Sequence, residues 1–312
     1  MELIRGLYNL RPRHRGCVAT IGNFDGVHLG HQAVLGQLAE RGAELDLPTV
    51  VVTFEPHSRE YFARGEIPPR LSRFREKLQA LRRFSVSRVV CLRFDQNLAS
   101  MPAEIFIQKL LVEGLAVRYL VVGDDFRFGK GRKGDFNLLR DMGDKLGFQV
   151  ANMHTFNVDG VRVSSSHIRE ALAKDDLESA ERLLGRPYRM CGRVVHGDGR
   201  GRTIGFPTAN IHLHRRSSPV SGVYAVELFG LEQEPLTGVA NVGIRPTLGG
   251  TESRLEVHIM NFNADIYGRY VHVDFLHKLR SEIRFGSLEE LVIQIRKDVD
   301  AARAFHDLRA RA

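Results

Sequence analysis

Cys17–Ile21, CVATI, followed at once by Gly22–His31, GNFDGVHLGH, is the stretch on which the fold turns. Five small, β-branched or apolar residues in a row suit a strand buried on both faces. The glycine-bounded turn after them opens a helix over Gly30–Arg41. Strand, tight turn and helix form the first half of a βαβ unit, and the pattern recurs downstream. Thr49–Phe54 (TVVVTF), Arg88–Phe94 (RVVCLRF), Arg118–Gly123 (RYLVVG) and Phe148–Met153 read as further strands. Helical stretches over Phe74–Phe84, Pro102–Glu113 and Asn137–Gly147 lie between them. Alternation of this kind predicts a doubly wound parallel sheet, an α/β fold whose ligands sit at the carboxyl ends of the strands.

Near Leu184–Tyr188 (LGRPY) the pattern changes. Short strand-like runs separated by Gly and Pro follow: Arg193–His196, Gly222–Phe229, Leu236–Val242, Leu255–Asn261 and Tyr270–Leu279. They predict an antiparallel barrel or sandwich. A terminal helix begins at about Leu288, with Ser287 and Glu290 as a capping box. Its stripe of Leu288, Leu291, Val292, Ile295 and Val299 should face the core. Two domains are therefore expected, residues 1–184 and 185–312.

Composition narrows the function classes. The chain has 312 residues, 43% hydrophobic and 26% charged, with a formal net charge of +8. Those proportions fit a chain with real cores and exclude a disordered or collagen-like one. Cys17, Cys91 and Cys191 have neither zinc-site nor disulfide-framework spacing, so a reduced, cytoplasmic setting is expected. No apolar run is long enough to span a bilayer, and the N-terminus lacks a signal-peptide core, so no membrane partner is expected. The excess of Lys and Arg suits either nucleic acid or a small polyanion. Its scatter along the chain favours the polyanion and argues against nucleic acid.

Two constellations carry chemistry. In GNFDGVHLGH, Gly22 and Gly26 allow a tight turn, and free N–H groups at the helix start attract phosphate. His28 and His31, three residues apart on a first helical turn, can both donate to phosphate oxygens as charge develops there. In Gly192–Asn210, GRVVHGDGRGRTIGFPTAN, five glycines in nineteen residues point to a loop that wraps phosphates with backbone N–H groups. No Walker motif is present. Thr208 and Asn210, two residues apart, share a face if extended and can hold Mg²⁺ and nucleotide oxygens.

These motifs resemble the HxGH adenylyltransferases and, more narrowly, the prokaryotic bifunctional riboflavin kinase/FAD synthetase family. Supporting segments are Phe54–His57 (FEPH), Val122–Gly134 (VGDDFRFGKGRKG), Ser164–Arg169 (SSSHIR), Asn241–Thr247 (NVGIRPT), Leu255–Gly268 and Leu279–Phe285. Ser166 stands where the family usually has Thr, and Ser58 where FDPHP-like sequences have Pro. The resemblance implies ATP-dependent phosphorylation of riboflavin to FMN in the second domain. It implies transfer of AMP from ATP to FMN in the first, giving FAD and pyrophosphate. Mg²⁺ would assist, and small molecules would be the partners, with room for weak self-association.

The resemblance also assigns residues. At the first site, Gly22, Phe24, Gly26, His28, His31, Ser164, Ser165 and Arg169 would bind ATP. Asn23, Asp25, His57, Asp124, Asp125 and Phe126 would bind FMN. At the second, Gly197, Gly199, Gly201, Arg202, Thr208 and Asn210 would bind ATP, Thr208 and Asn210 would hold Mg²⁺, and Glu256 and Arg280 would meet riboflavin. Glu256, between apolar Leu255 and Val257, would accept the hydroxyl proton, and His28 and His31 would stabilise the adenylyl-transfer transition state. Two alternatives remain: an RNA-dependent member of the HxGH superfamily, and a flavin-binding regulator in which one site has decayed.

Overall fold

The computed structural model describes residues 1–63, 65, 67–197, 200–215, 217–247 and 250–311. Packing divides them into two compact units. One holds residues 1–68 and 72–165, the other 69–71 and 166–312.

The first unit is the expected doubly wound sheet. Its strands are β1 (Glu2–Arg5), β2 (Cys17–Ile21), β3 (Thr49–Glu55), β4 (Arg88–Arg93), β5 (Val117–Gly123) and β6 (Gln149–Met153), all parallel, in the order β1-β4-β3-β2-β5-β6. A small hairpin, β7 (Asn157–Val158) with β8 (Val161–Arg162), follows. Alternate residues of the central strands serve opposite faces. Cys17, Ala19, Ile21, Val50 and Val52 pack with Phe106, Ile107, Leu110 and Leu111 on one side. Val18, Val51, Val89 and Val121 pack with Val34, Leu35 and Leu38 of the helix Leu29–Glu44 on the other. A sheet covered on both faces needs such unbroken apolar strands. From β2 the chain winds outward to β3 and β4, then returns to place β5 on the other side of β2. The crevice at the carboxyl ends of β2 and β5 is thus the topological switch point where ligands bind in such sheets.

The second unit is a closed barrel of β9 (Tyr188–Val195), β10 (Ala209–His212), β11 (Gly222–Phe229), β12 (Leu236–Thr247), β13 (Gly250–Ile259) and β14 (Tyr270–Arg280). Every neighbouring pair is antiparallel. The helix Leu177–Leu184 packs on β9 and β14, so the barrel unit begins well before its first strand. The terminal helix Leu288–Arg311 covers β11, β12 and β14, which is why β11 is buried on both faces.

Several expectations change. β1 adds a sixth strand to a sheet read as five, and β10 adds one to the barrel. The helix expected over Pro102–Glu113 has a wide π-type turn from Ile107 to Gly114. On the terminal helix Val299 is buried and Ser287 Oγ caps Glu290 N, but Leu288 is 57% exposed, because the first turn overhangs the barrel contact.

Arg280, expected at riboflavin, is engaged within the protein. Its Nε and Nη2 clamp Asp298 at 2.8–3.1 Å, its Nη1 donates to Ser281 O, and Gln294 Nε2 completes the cluster by donating to Asp298. The pair fixes the terminal helix to β14. Arg280→Ala would strand a buried carboxylate, so stability should fall by about 3 kcal/mol, measured by urea denaturation.

Candidate active sites

The first site is built on the turn after β2. Phe24, Gly26 and Val27 have φ of 49°, 84° and 44°. Only glycine adopts that region freely, and a β-branched residue there is strained. The loop is held by burial and hydrogen bonds. Phe24 and Val27 are inserted into the core, and Asp25 is 2% exposed. Asp25 Oδ1 accepts from Ser72 N (2.9 Å) and Ser72 Oγ (3.3 Å). Gly26 N donates to Ser72 Oγ (2.9 Å), and Ser165 Oγ donates to the Asp25 carbonyl (3.0 Å). Asp25, assigned to FMN by resemblance, is thus also tied into the loop.

His28 caps the helix Leu29–Glu44, its Nδ1 accepting from His31 N at 3.3 Å. A neutral imidazole that accepts at Nδ1 carries its proton on Nε2, so His28 is a donor through that atom. The His28 and His31 rings stack, centroids 3.6 Å apart, and Phe24 packs on His31 at 4.9 Å. Burial, then the neighbouring His28, Lys77 and His57, hold His31 well below the usual imidazole range. Its Nδ1 is buried without a hydrogen-bond partner among the described residues. Asn23 Oδ1 is likewise an unsatisfied buried acceptor, while its Nδ2 lies 3.4 Å from Ser58 Oγ. His57 caps the short helix Ser58–Phe62 at the end of β3. Asn23, His28, His31 and His57 are thus gathered at the ends of β2 and β3.

The loop after β5 is stiffened by its own acids. Asp124 Oδ2 accepts from Thr155 N (3.1 Å) and Oγ1 (2.7 Å), and these bonds hold its carboxyl below the usual range. Asp125 is ion-paired with Arg162, and Phe126 stacks on Phe128. Arg169 belongs to the second unit, where its Nε donates to Pro69 O at 2.8 Å. Ser164 is half-buried.

The barrel site lies on the outer face of three strands. Asn210 on β10 and Asn241 on β12 are both directly opposite Glu256 on β13. Opposed residues of antiparallel strands share a face. The core face between them carries buried Leu255, Val257 and Ile211. Glu256 Oε1 pairs with Arg254 Nη1 at 3.0 Å. Gly197 and Gly201 pack closely against neighbouring residues. A Cβ on Gly197 would strike the Asn210 amide, and one on Gly201 would strike the Phe206 carbonyl and lie 3.3 Å from Thr208 Oγ1. Gly197, Gly201, Thr208 and Asn210 are therefore brought together. Arg202 is exposed, and Gly199 lies outside the described residues. Asn210 Oδ1 is a buried acceptor with no partner among the described residues. With the Thr208 hydroxyl it makes an all-oxygen donor pair suited to Mg²⁺.

Sequence reasoning missed Ser72, Thr53, Lys77 and Asn241. The first three have no motif, since their roles depend on packing between elements. Asn241 was visible within NVGIRPT, but its place opposite Glu256 needs the register.

A parallel sheet with paired imidazoles at its switch point, and a barrel with Gly197 and Gly201 packed against Asn210 and Thr208, suit a nucleotide-dependent transferase. Family models agree: FAD synthetase matches residues 10–167 and riboflavin kinase residues 184–306. Bifunctional riboflavin kinase/FMN adenylyltransferases from Escherichia coli (strain K12) and Haemophilus influenzae are 53% and 50% identical to this chain. They cover 99% and 98% of it, and 99% of their own lengths. A crystal structure described as a macrolide-efflux protein from Streptococcus pneumoniae is 31% identical with a TM-score of 0.82, covering 97% of this chain and 99% of that one. The chain belongs to the bifunctional riboflavin kinase/FMN adenylyltransferase family. Among the described residues no helix is long and apolar enough to cross a membrane.

Two predictions follow from these geometries. His31 binds a proton more weakly when native than when unfolded, where its value is about 6.5. Stability contributed by its neutral form is full above that value and is lost as pH falls towards the native one. The urea midpoint should drop between about pH 7.5 and 5.5, and His31→Gln should flatten that slope. Gly201→Ala, through its clash with the Phe206 carbonyl, should raise KM for ATP in FMN formation and leave FAD formation from supplied FMN unchanged.

Proposed function

We propose that residues 1–184 transfer AMP from ATP to FMN and that residues 185–312 phosphorylate riboflavin, each with its own ATP. The observation that carries the reading is the pair of separate polar clusters, His28–His31 on the sheet and Asn210–Glu256–Asn241 on the barrel. A cytoplasmic setting is part of the proposal.

At the sheet site, the helix N-terminus and the His28 and His31 donors hold the ATP polyphosphate, joined by Ser164, Ser165 and Arg169. Asn23, Asp25, His57, Asp124, Asp125 and Phe126 orient FMN so that its terminal phosphate oxygen attacks the α-phosphorus and pyrophosphate leaves. No proton transfer is required of the attacking group, so positioning and neutralisation of charge dominate. His31, uncharged before ATP arrives, donates a hydrogen bond whose strength rises as negative charge builds on the phosphate.

At the barrel site, Gly197, Gly199, Gly201 and Arg202 enclose the ATP phosphates. Thr208 and Asn210 would hold Mg²⁺, which when bound neutralises phosphate charge. Glu256 accepts the proton of the riboflavin hydroxyl as that oxygen attacks the γ-phosphorus. Arg280, its guanidinium held by Asp298, meets riboflavin with Glu256.

His28→Ala should lower FAD formation about 100-fold or more and leave FMN formation intact. Glu256→Gln should lower FMN formation from riboflavin by about 100-fold or more and leave FAD formation from supplied FMN intact. Chromatographic separation of FMN and FAD reads both. Loss of both activities in either folded variant would refute the two-site reading, and salt-sensitive tRNA binding would favour the RNA-dependent alternative.

A further inference from the structure

Close to the sheet site lies a buried cation to which the roles above assign no part. Lys77, on the helix Phe74–Leu81, is 3% exposed. Burial of an ammonium is costly unless its charge and donors are used. Its Nζ lies 3.4 Å from Thr53 Oγ1, a fully buried hydroxyl near the end of β3. Thr53 Oγ1 in turn donates to the Asn23 carbonyl at 3.3 Å. The direction of this relay is forced. An ammonium has donors only, so Thr53 must accept from Lys77 and spend its single proton on Asn23. The relay therefore ends on the first residue of the turn whose strained φ values begin at Phe24.

We propose that Lys77 is a positioning residue of the sheet site, which orients the Thr53 hydroxyl onto the Asn23 carbonyl and supplies a fixed positive charge for the polyphosphate of ATP. The proposal rests on the adenylyltransferase reading of that site. One observation and two physical arguments support the electrostatic part. Lys77 is among the groups that disfavour protonation of His31, beside His28 and His57, so its field reaches the imidazole. A buried charge acts through a low-dielectric interior and is screened little by salt. It also needs no reorganisation when the polyanion arrives, unlike Lys130 and Lys133 of the exposed loop.

The test is steady-state kinetics of FAD formation from FMN and ATP by the full chain. FMN formation from riboflavin in the same preparation reports on the fold. Lys77→Met should raise KM for ATP by about tenfold or more and lower kcat, with FMN formation unchanged. Thr53→Val, which keeps the charge and removes the relay, should lower kcat with a smaller effect on KM. Thr53→Ser should restore it. Wild-type constants in Lys77→Met would overturn the proposal, as would a parallel loss of both activities, the mark of a merely structural residue. If Lys77→Met does not fold, the Thr53 pair decides: loss in Val with rescue in Ser supports the relay, and equal activity in both overturns it. Absence of FAD formation by the wild-type chain would instead refute the adenylyltransferase reading beneath the proposal.

Discussion

The hydrogen bonds between Asp25 and Ser72 hold a backbone that would not hold itself. Three of the four residues from Phe24 to Val27 sit at positive φ, and two of them carry side chains that disfavour it. Each such residue costs on the order of 1–3 kcal/mol. Phe24 and Val27 offset part of that by core burial, and the Asp25 carboxylate ties the turn to Ser72, a residue distant in sequence. The position of His28 as helix cap, the stacking of His31 on it and the aim of the first helical N–H groups all follow from this turn. The sheet supplies the frame, but the clamp sets the angle at which phosphate meets imidazole.

The two sites solve the same problem with different parts. Both must hold a polyanion, and both expose backbone N–H groups to do so. In the proposed roles the sheet uses a helix start and the stacked His28 and His31 rings, with the buried Lys77 ammonium behind them. The barrel uses Gly197 and Gly201, so close to Asn210 and Phe206 that a single Cβ does not fit. In each, a buried acceptor or imidazole nitrogen remains unsatisfied within the protein: His31 Nδ1 and Asn23 Oδ1 on the sheet, Asn210 Oδ1 on the barrel. The cysteines take no part. All three are buried and none forms a disulfide among the described residues, and burial pushes the Cys17 thiol up to about 12.

Much of this was legible in the sequence. Unbroken runs such as CVATI and TVVVT mark strands buried on both faces, and the motifs after them fall where the switch point places ligands. The rest lies in contacts that no local pattern encodes. β1 is four residues at a sheet edge, too short for a periodicity, and β10 is equally short and begins inside the PTAN motif. Closure of the barrel depends on the pairing of β9 with both β10 and β14, so the runs alone left a sandwich open. Asp25 and Arg280 are assigned to ligands by resemblance, and no local pattern shows that Ser72 and Asp298 also hold their side chains. Leu288 obeyed the helical stripe but preceded the point where the helix meets the barrel.

The clamp is tested most directly by the rate of FAD formation in Ser72→Ala, which removes the hydroxyl that joins Gly26 N to Asp25. Loss of such a buried bond, about 1–3 kcal/mol, should lower kcat/KM for FAD formation by about tenfold while FMN formation from riboflavin stays at the wild-type rate. Wild-type FAD formation in that variant would contradict the account.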